Sequence, residues 1–199
     1  MRSRSPRFFV EVRAGRLGRD SLNPKGGSGK TTLSTNLARG FEEAGHSALL
    51  VDADPQGSSR DWQAADPDNF TPVTAMDRAG NLKSLPTMAA GYEYVVIDAA
   101  GRLEAIIRDA VRIADLVLIP VQPSPYDIWA ISDLVELVQS RQTVTDGNPV
   151  MGAVISRAIQ GTVLGQDVTE ALDEMGVEYL DARTHQRQIY ARSANKGQT

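Results

Sequence analysis

Along most of the chain, short runs of β-branched and aliphatic residues alternate with stretches whose apolar positions recur every three or four residues. The first kind of run suits a strand buried on both faces, the second a helix with one apolar stripe. Residues 31–44 read as a helix that stops near Gly45, a residue suited to the left-handed turn after a helix end. Ser47-Ala-Leu-Leu-Val51 follows as a buried strand with Asp52 at its carboxyl end, and Tyr94-Val-Val-Ile-Asp98 is a second strand of the same kind. Between them the pattern predicts a short helix around Trp62, a strand from Thr71 to Ala75 and a helix from Leu82 to Met88. Leu103, Ile106, Ile107, Ala110 and Val111 share one face of a helix over 102–113. Leu116-Val-Leu-Ile-Pro120 is a strand, and Ile128, Ile131, Leu134, Val135 and Val138 mark the helix after it. A strand from Val150 to Ser156 and a helix holding Leu164, Val168, Leu172 and Met175 carry the alternation to Tyr179. A last helical pattern opens near Gln186, and Lys196-Gly-Gln-Thr199 reads as a tail. Alternation of this kind is the signature of βαβ units, so the expected class is α/β: a mostly parallel twisted sheet flanked by helices on both faces. No internal repeat, low-complexity tract or domain linker interrupts it.

The chain has 199 residues, enough for one domain with an ordinary core, and its 41% hydrophobic and 23% charged residues are those of a soluble globular protein. It has no cysteine, which excludes disulfides, zinc–cysteine sites, iron–sulfur ligation and thiol catalysis and makes a reducing cytoplasm the expected setting. The apolar runs fall far short of the ~18 residues of a spanning helix, so no membrane crossing is expected. A net charge of -4 argues against indiscriminate nucleic-acid binding by the whole surface but permits a local basic patch. Charge is unevenly spread: residues 1–21 carry Arg2, Arg4, Arg7, Arg13, Arg16 and Arg19 against Glu11 and Asp20.

Asn23-Pro-Lys-Gly-Gly-Ser-Gly-Lys-Thr-Thr32 contains the Gly-Lys-Thr core of a phosphate-binding loop. Gly26, Gly27 and Gly29, with Ser28 between them, let backbone N–H groups approach phosphate oxygens with no Cβ in the way. The helix after Lys30 would point its positive end at the same anion. Lys30 is placed to reach the β and γ phosphates, Thr31 to put its hydroxyl on Mg²⁺, and Thr32 to bond a phosphate oxygen. Pro24 stands where the standard loop has its first glycine, and a second lysine, Lys25, follows it. This Lys-Gly-Gly-x-Gly-Lys-Thr pattern, preceded by Asn23-Pro24, is the deviant Walker A motif, and with it the chain resembles the ParA/MinD group of P-loop ATPases, in particular the short ParF-like type.

The resemblance implies an ATPase with ATP and Mg²⁺ as cofactors, two subunits sandwiching two nucleotides, and Lys25 crossing the interface to the partner's phosphates. Such a basic residue acts like an arginine finger and contributes on the order of 10³ or more in rate. Leu50-Val-Asp-Ala-Asp-Pro-Gln56 resembles the second family motif: Asp52 belongs near Mg²⁺ and the attacking water, and Asp54-Pro-Gln-Gly57 opens a switch segment. Val95-Val-Ile-Asp-Ala-Ala-Gly101 resembles Walker B, with Asp98 holding Mg²⁺. Pro120-Val-Gln-Pro-Ser-Pro-Tyr-Asp127 resembles the proline-rich loop near the dimer interface. Thr184-His-Gln-Arg-Gln-Ile-Tyr190 resembles the segment near the adenine end of the site, which singles out Gln186, Arg187 and Tyr190. His46 and His185 show no metal or dyad pattern and are expected at the surface. The function implied is ATP-driven partition of plasmid or chromosomal DNA by a nucleoid-associated cytoplasmic homodimer or higher assembly. It would bind DNA without sequence preference and be stimulated by a centromere-binding partner of the ParB/ParG kind. The alternatives are a MinD-like division-site regulator, whose basic amphipathic C-terminal helix residues 191–199 lack, and an amide ligase or dethiobiotin-type synthase, which needs a longer chain. A nucleotide-binding protein without turnover is a further reading. A nitrogenase-reductase reading fails for want of cysteine.

Two features depart from the pattern. A P-loop follows a buried strand, but the strand-like run Phe8-Phe-Val-Glu-Val12 ends too early to feed Asn23 directly. Residues 1–21 therefore read as an atypical segment, a misassigned or frame-shifted start or a divergent leader, ahead of a single ATPase domain over 22–199. The family pattern also continues past Thr199 with another helix, so the chain reads as truncated there, and activity is conditional on the strand position being filled.

Overall fold

The apolar runs form six strands: β1 (Arg7–Val12), β2 (Ala48–Ala53), β3 (Val73–Ala75), β4 (Tyr94–Ala99), β5 (Leu116–Val121) and β6 (Val150–Ile155). In the computed structural model, which describes residues 7–12, 29–99, 104–158, 164–185, 187–194 and 196–199, all six pair in parallel in the order β3-β2-β4-β1-β5-β6. The helices are α1 (Lys30–Glu43), α2 (Ser58–Ala64), α3 (Leu85–Met88, entered through a 3-10 turn at Asn81–Ser84), α4 (Glu104–Ile113), α5 (Pro125–Thr143), α6 (Leu164–Glu174) and α7 (Gln188–Ala194). The periodicity therefore located each element to within a few residues at its ends. The strand position ahead of the P-loop is filled, because β1 lies at the centre of the sheet with Phe8 opposite Val95 and Phe9 opposite both Val96 and Leu116. Phe8 is buried, its N–H donates to Asp115 Oδ2 at 2.7 Å, and its carbonyl accepts from the Asp115 N–H at 2.9 Å. Spacing to the loop argued against this strand; burial and pairing decide for it.

Side chains alternate across a strand, so each face takes its own helices. On one face Val51, Ile97, Val117 and Ile119 pack with Leu82 and Leu85, with Ile106 and Val111 of α4, Ile131 and Leu134 of α5, and Leu172 of α6. The other face is smaller: Leu50 and Val96 meet Ala38 of α1 and Trp62 of α2. Phe41 of α1 stacks flat on Tyr94 at 4.0 Å between ring centroids, and Phe9 of β1 tilts against both rings. These rings fix α1 over the middle of the sheet, which sets where its first turn stands.

The expected tail is built into the fold. Gly197 has φ +66°, its N–H donates to the Ala194 carbonyl and the Gln198 N–H donates to the Ser193 carbonyl, so α7 ends in a Schellman turn with glycine at the left-handed position. The same turn lies against α2, where Trp62 Nε1 donates to the Gln198 carbonyl at 3.2 Å and Asn69 Nδ2 to the Gly197 carbonyl at 3.0 Å.

Candidate functional site

In an open parallel sheet, ligands bind beyond the carboxyl ends of the strands. Here β2 and β4 are neighbours with Asp52 directly opposite Asp98 at that edge. Each is two residues beyond a residue of the smaller cluster, Leu50 or Val96, so both carboxylates point to the face covered by α1 and α2. Both are buried.

Asp98 is the meeting point of three elements. Its Oδ2 accepts from Thr31 Oγ1 of α1 at 2.9 Å and from Ser59 Oγ of α2 at 2.8 Å. Its Oδ1 is buried with no hydrogen-bond partner among the described residues. Burial pushes the Asp98 carboxyl above the ordinary aspartate range, against the opposing pull of Ser59, Lys30 and Thr31. A buried carboxylate with one orphaned oxygen beside a threonine hydroxyl suits a hard cation such as Mg²⁺, which takes one or two carboxylates and leaves its other positions to water and phosphate.

Gly29 caps α1 with φ +90°, and a Cβ there would lie 2.8 Å from Ser156 Oγ. The glycine thus has both a backbone conformation and a close approach that other residues resist. The Leu33 N–H donates to its carbonyl, leaving the N–H groups of the first turn aimed outward, and Lys30 is half-buried at this end. Thr32 is also half-buried in this turn, and its carbonyl accepts from Asn36 Nδ2 at 2.6 Å. Lys25, Gly26, Gly27 and Ser28 lie outside the described residues, as does Gln186.

Asp52 Oδ1 accepts from the Asp54 N–H at 3.1 Å, and Asp52 Oδ2 accepts from both the Arg60 N–H and Arg60 Nε at 3.1 and 3.2 Å. Asp54 turns the chain back on itself: its Oδ1 accepts from the Gln56 N–H and its carbonyl from the Gly57 N–H. The segment singled out near the adenine end does reach this edge. The Thr184 N–H donates to the Ile155 carbonyl, Thr184 Oγ1 accepts from the Arg157 N–H at 3.2 Å, and it lies 3.4 Å from Ser156 Oγ, the atom against Gly29. Arg187 is exposed and Tyr190 half-buried. His185, expected at the surface, is half-buried with Nδ1 3.3 Å from the Ala158 carbonyl. Ser59, Arg60 and Asp77 belong to the site but were not singled out from sequence. Only their place just after the Asp54-Pro-Gln-Gly57 turn could have marked the first two.

A family model described as the CobQ/CobB/MinD/ParA nucleotide binding domain matches residues 21–199. The chain belongs to this family. The "maintenance of carboxysome distribution protein A" of Halothiobacillus neapolitanus is 32% identical over 181 residues, covering 88% of this chain and 82% of the relative. The "chromosome-partitioning ATPase Soj" of Thermus thermophilus is 27% identical over 182 residues, 75% of this chain and 73% of its own. Among solved structures, apo McdA of Cyanothece superposes with a TM-score of 0.77 at 18% identity, over 96% of this chain and 90% of that one. At that identity the likeness speaks for the fold, which is that of the P-loop ParA/MinD proteins. The partition and carboxysome-distribution relatives support the general role of a ParA/MinD-type ATPase.

Proposed function

We propose that this chain is a Mg²⁺-dependent ATPase whose nucleotide cycle drives the partition of plasmid or chromosomal DNA. The observation that carries the reading is the pair Asp52 and Asp98, side by side at the sheet edge, with the Thr31 hydroxyl at the start of α1 bonded to the second. Thr31 and Asp98, with Asp52 alongside, would hold the Mg²⁺. When bound, the ion neutralises charge on the β and γ phosphate oxygens. Lys30 and the amides of the first turn of α1, with Gly29 and Thr32, bind the phosphates. Lys25, Gly26, Gly27 and Ser28 complete that cradle in this reading, with Lys25 serving the nucleotide of a second subunit in a homodimer. Asp52 orders the attacking water; phosphoryl transfer needs positioning and charge more than proton abstraction. In this reading Gln186 and Arg187 serve the adenine end, supported by Thr184, just before them, which bonds Ser156, the residue whose Oγ lies against Gly29. DNA binding without sequence preference would come from a local basic patch and weaken with salt, and a centromere-binding partner would stimulate turnover.

A second reading of the cargo is a protein microcompartment rather than DNA, favoured by the 32% identity to a carboxysome-distribution protein. The decisive experiment measures ATP turnover with Mg²⁺, with and without DNA, for the wild type, Lys30→Ala and Lys25→Ala. Both substitutions should abolish turnover, and Lys30→Ala should also weaken ATP binding. Turnover indifferent to both lysines would sink the mechanism. DNA stimulation lost with rising salt supports partition over a DNA-independent cycle.

A further inference from the structure

Every described hydrogen bond to the Asp52 carboxylate comes from the eight residues after it, and two of the three come from Arg60. A carboxylate oxygen accepts about two hydrogen bonds. Oδ2 is therefore filled by the Arg60 N–H and Nε, whereas Oδ1 accepts, among the described residues, from the Asp54 N–H alone. A partial turn of the carboxylate about its Cβ–Cγ bond would lose both Arg60 contacts, and a half-turn only exchanges two equivalent oxygens.

Arg60 is itself held at its far end. Nη2 donates to the Asp54 carbonyl at 3.3 Å and to Asp77 Oδ2 at 3.2 Å. Asp77 sits just past β3, where the Met76 N–H donates to the Asp52 carbonyl at 2.8 Å and fixes the spacing of the two loops. Gly57 leaves the passage open, since a Cβ there would come within 3.0 Å of Nη2. The planar guanidinium thus spans two carboxylates and a carbonyl with separate N–H groups, a geometry a lysine ammonium cannot reproduce.

We infer that Arg60 is a positioning residue for ATP hydrolysis: braced by Asp77, it grips Asp52 through Oδ2 and so leaves Oδ1 as the oxygen free to order the attacking water. This rests on the ATPase reading above. The test compares wild type, Arg60→Lys, Asp77→Asn and the double variant, reading kcat and KM for ATP, fluorescent ATP-analogue affinity, and urea unfolding. Arg60→Lys should lower kcat by about 10- to 100-fold, the scale of a misplaced catalytic group, with nucleotide affinity within about twofold. Asp77→Asn should lower kcat less, and the double variant should be no worse than Arg60→Lys, because both act through one arm. An unchanged kcat in Arg60→Lys overturns the inference, as does a loss shared equally by kcat and ATP affinity, or additive losses in the double variant. Should Arg60→Lys not fold, Asp77→Asn, on a side chain 26% exposed, tests the same arm by the same split. Wild type without turnover would defeat the ATPase reading itself, an outcome distinct from a turning-over wild type whose Arg60 variants match it.

Discussion

Gly197→Ala probes the seam between the C-terminal turn and α2. An added Cβ would meet Asp66 Cβ at 2.6 Å, the Trp62 carbonyl oxygen at 2.7 Å and the Asp66 N at 2.8 Å, and two of these are backbone atoms that cannot swing aside. Keeping the turn would also place an alanine at φ +66°, a penalty of roughly 1–2 kcal/mol before any clash. Letting the turn go forfeits the bonds from Trp62 Nε1 and Asn69 Nδ2, each contributing about 0.5–1.5 kcal/mol net. Release is the cheaper route, so the expected destabilisation is about 1–3 kcal/mol, and Trp62, 5% exposed in the intact fold, should meet water. The chain has two tryptophans, and Trp129 is 64% exposed, so the measurement is made in a Trp129→Phe background where Trp62 alone reports. Gly197→Ala should shift its emission to the red and lower the urea midpoint, and Asn69→Ala should produce about a third to a half of that loss. Native emission and an unmoved midpoint in Gly197→Ala would refute the packing described.

Ser59→Ala, which removes one of the two bonds that the described residues make to Asp98, should raise the Mg²⁺ concentration needed for ATP binding by about 10-fold or more, read by titrating metal at fixed nucleotide. Leu85→Ala, at a fully buried core position, should cost about 2–5 kcal/mol in urea unfolding without altering ATP affinity once folded. The Glu93 carboxyl is held below the ordinary glutamate range chiefly by the Ser47 N–H and further by His46. Its contribution to stability is present above the unfolded-state pKa and is lost as pH falls through the lower folded-state value, so Glu93→Gln should lower stability slightly at neutral pH, leave the acid end nearly unchanged, and so flatten the acid side of a stability-versus-pH profile.

Strand-terminal carboxylates were legible in the sequence because a parallel sheet writes its buried strands as continuous apolar runs, and Asp52 and Asp98 each close one. That the two stand at the same register was not legible, since pairing is decided by the sheet and not by either run. Arg60 and Asp77 carry no local signature: a helix arginine and a post-strand aspartate become partners only once β3 lies beside β2. The same holds for Gly197, whose burial depends on Trp62, far away in sequence. For β1 the local signal was correct and the spacing rule misled, because a run of apolar residues reports burial whereas loop length reports only how directly the chain proceeds.

The position of β1 also bears on how the protein is handled. The family match begins at residue 21, beyond Val12, so a version trimmed to that match would lack the strand between β4 and β5. What remained would be two half-sheets, β3-β2-β4 and β5-β6, each ending in a raw interior margin of unsatisfied peptide groups and bare hydrocarbon. Such margins invite pairing with other molecules, and insoluble material from a trimmed version would report a missing plank rather than an inactive enzyme.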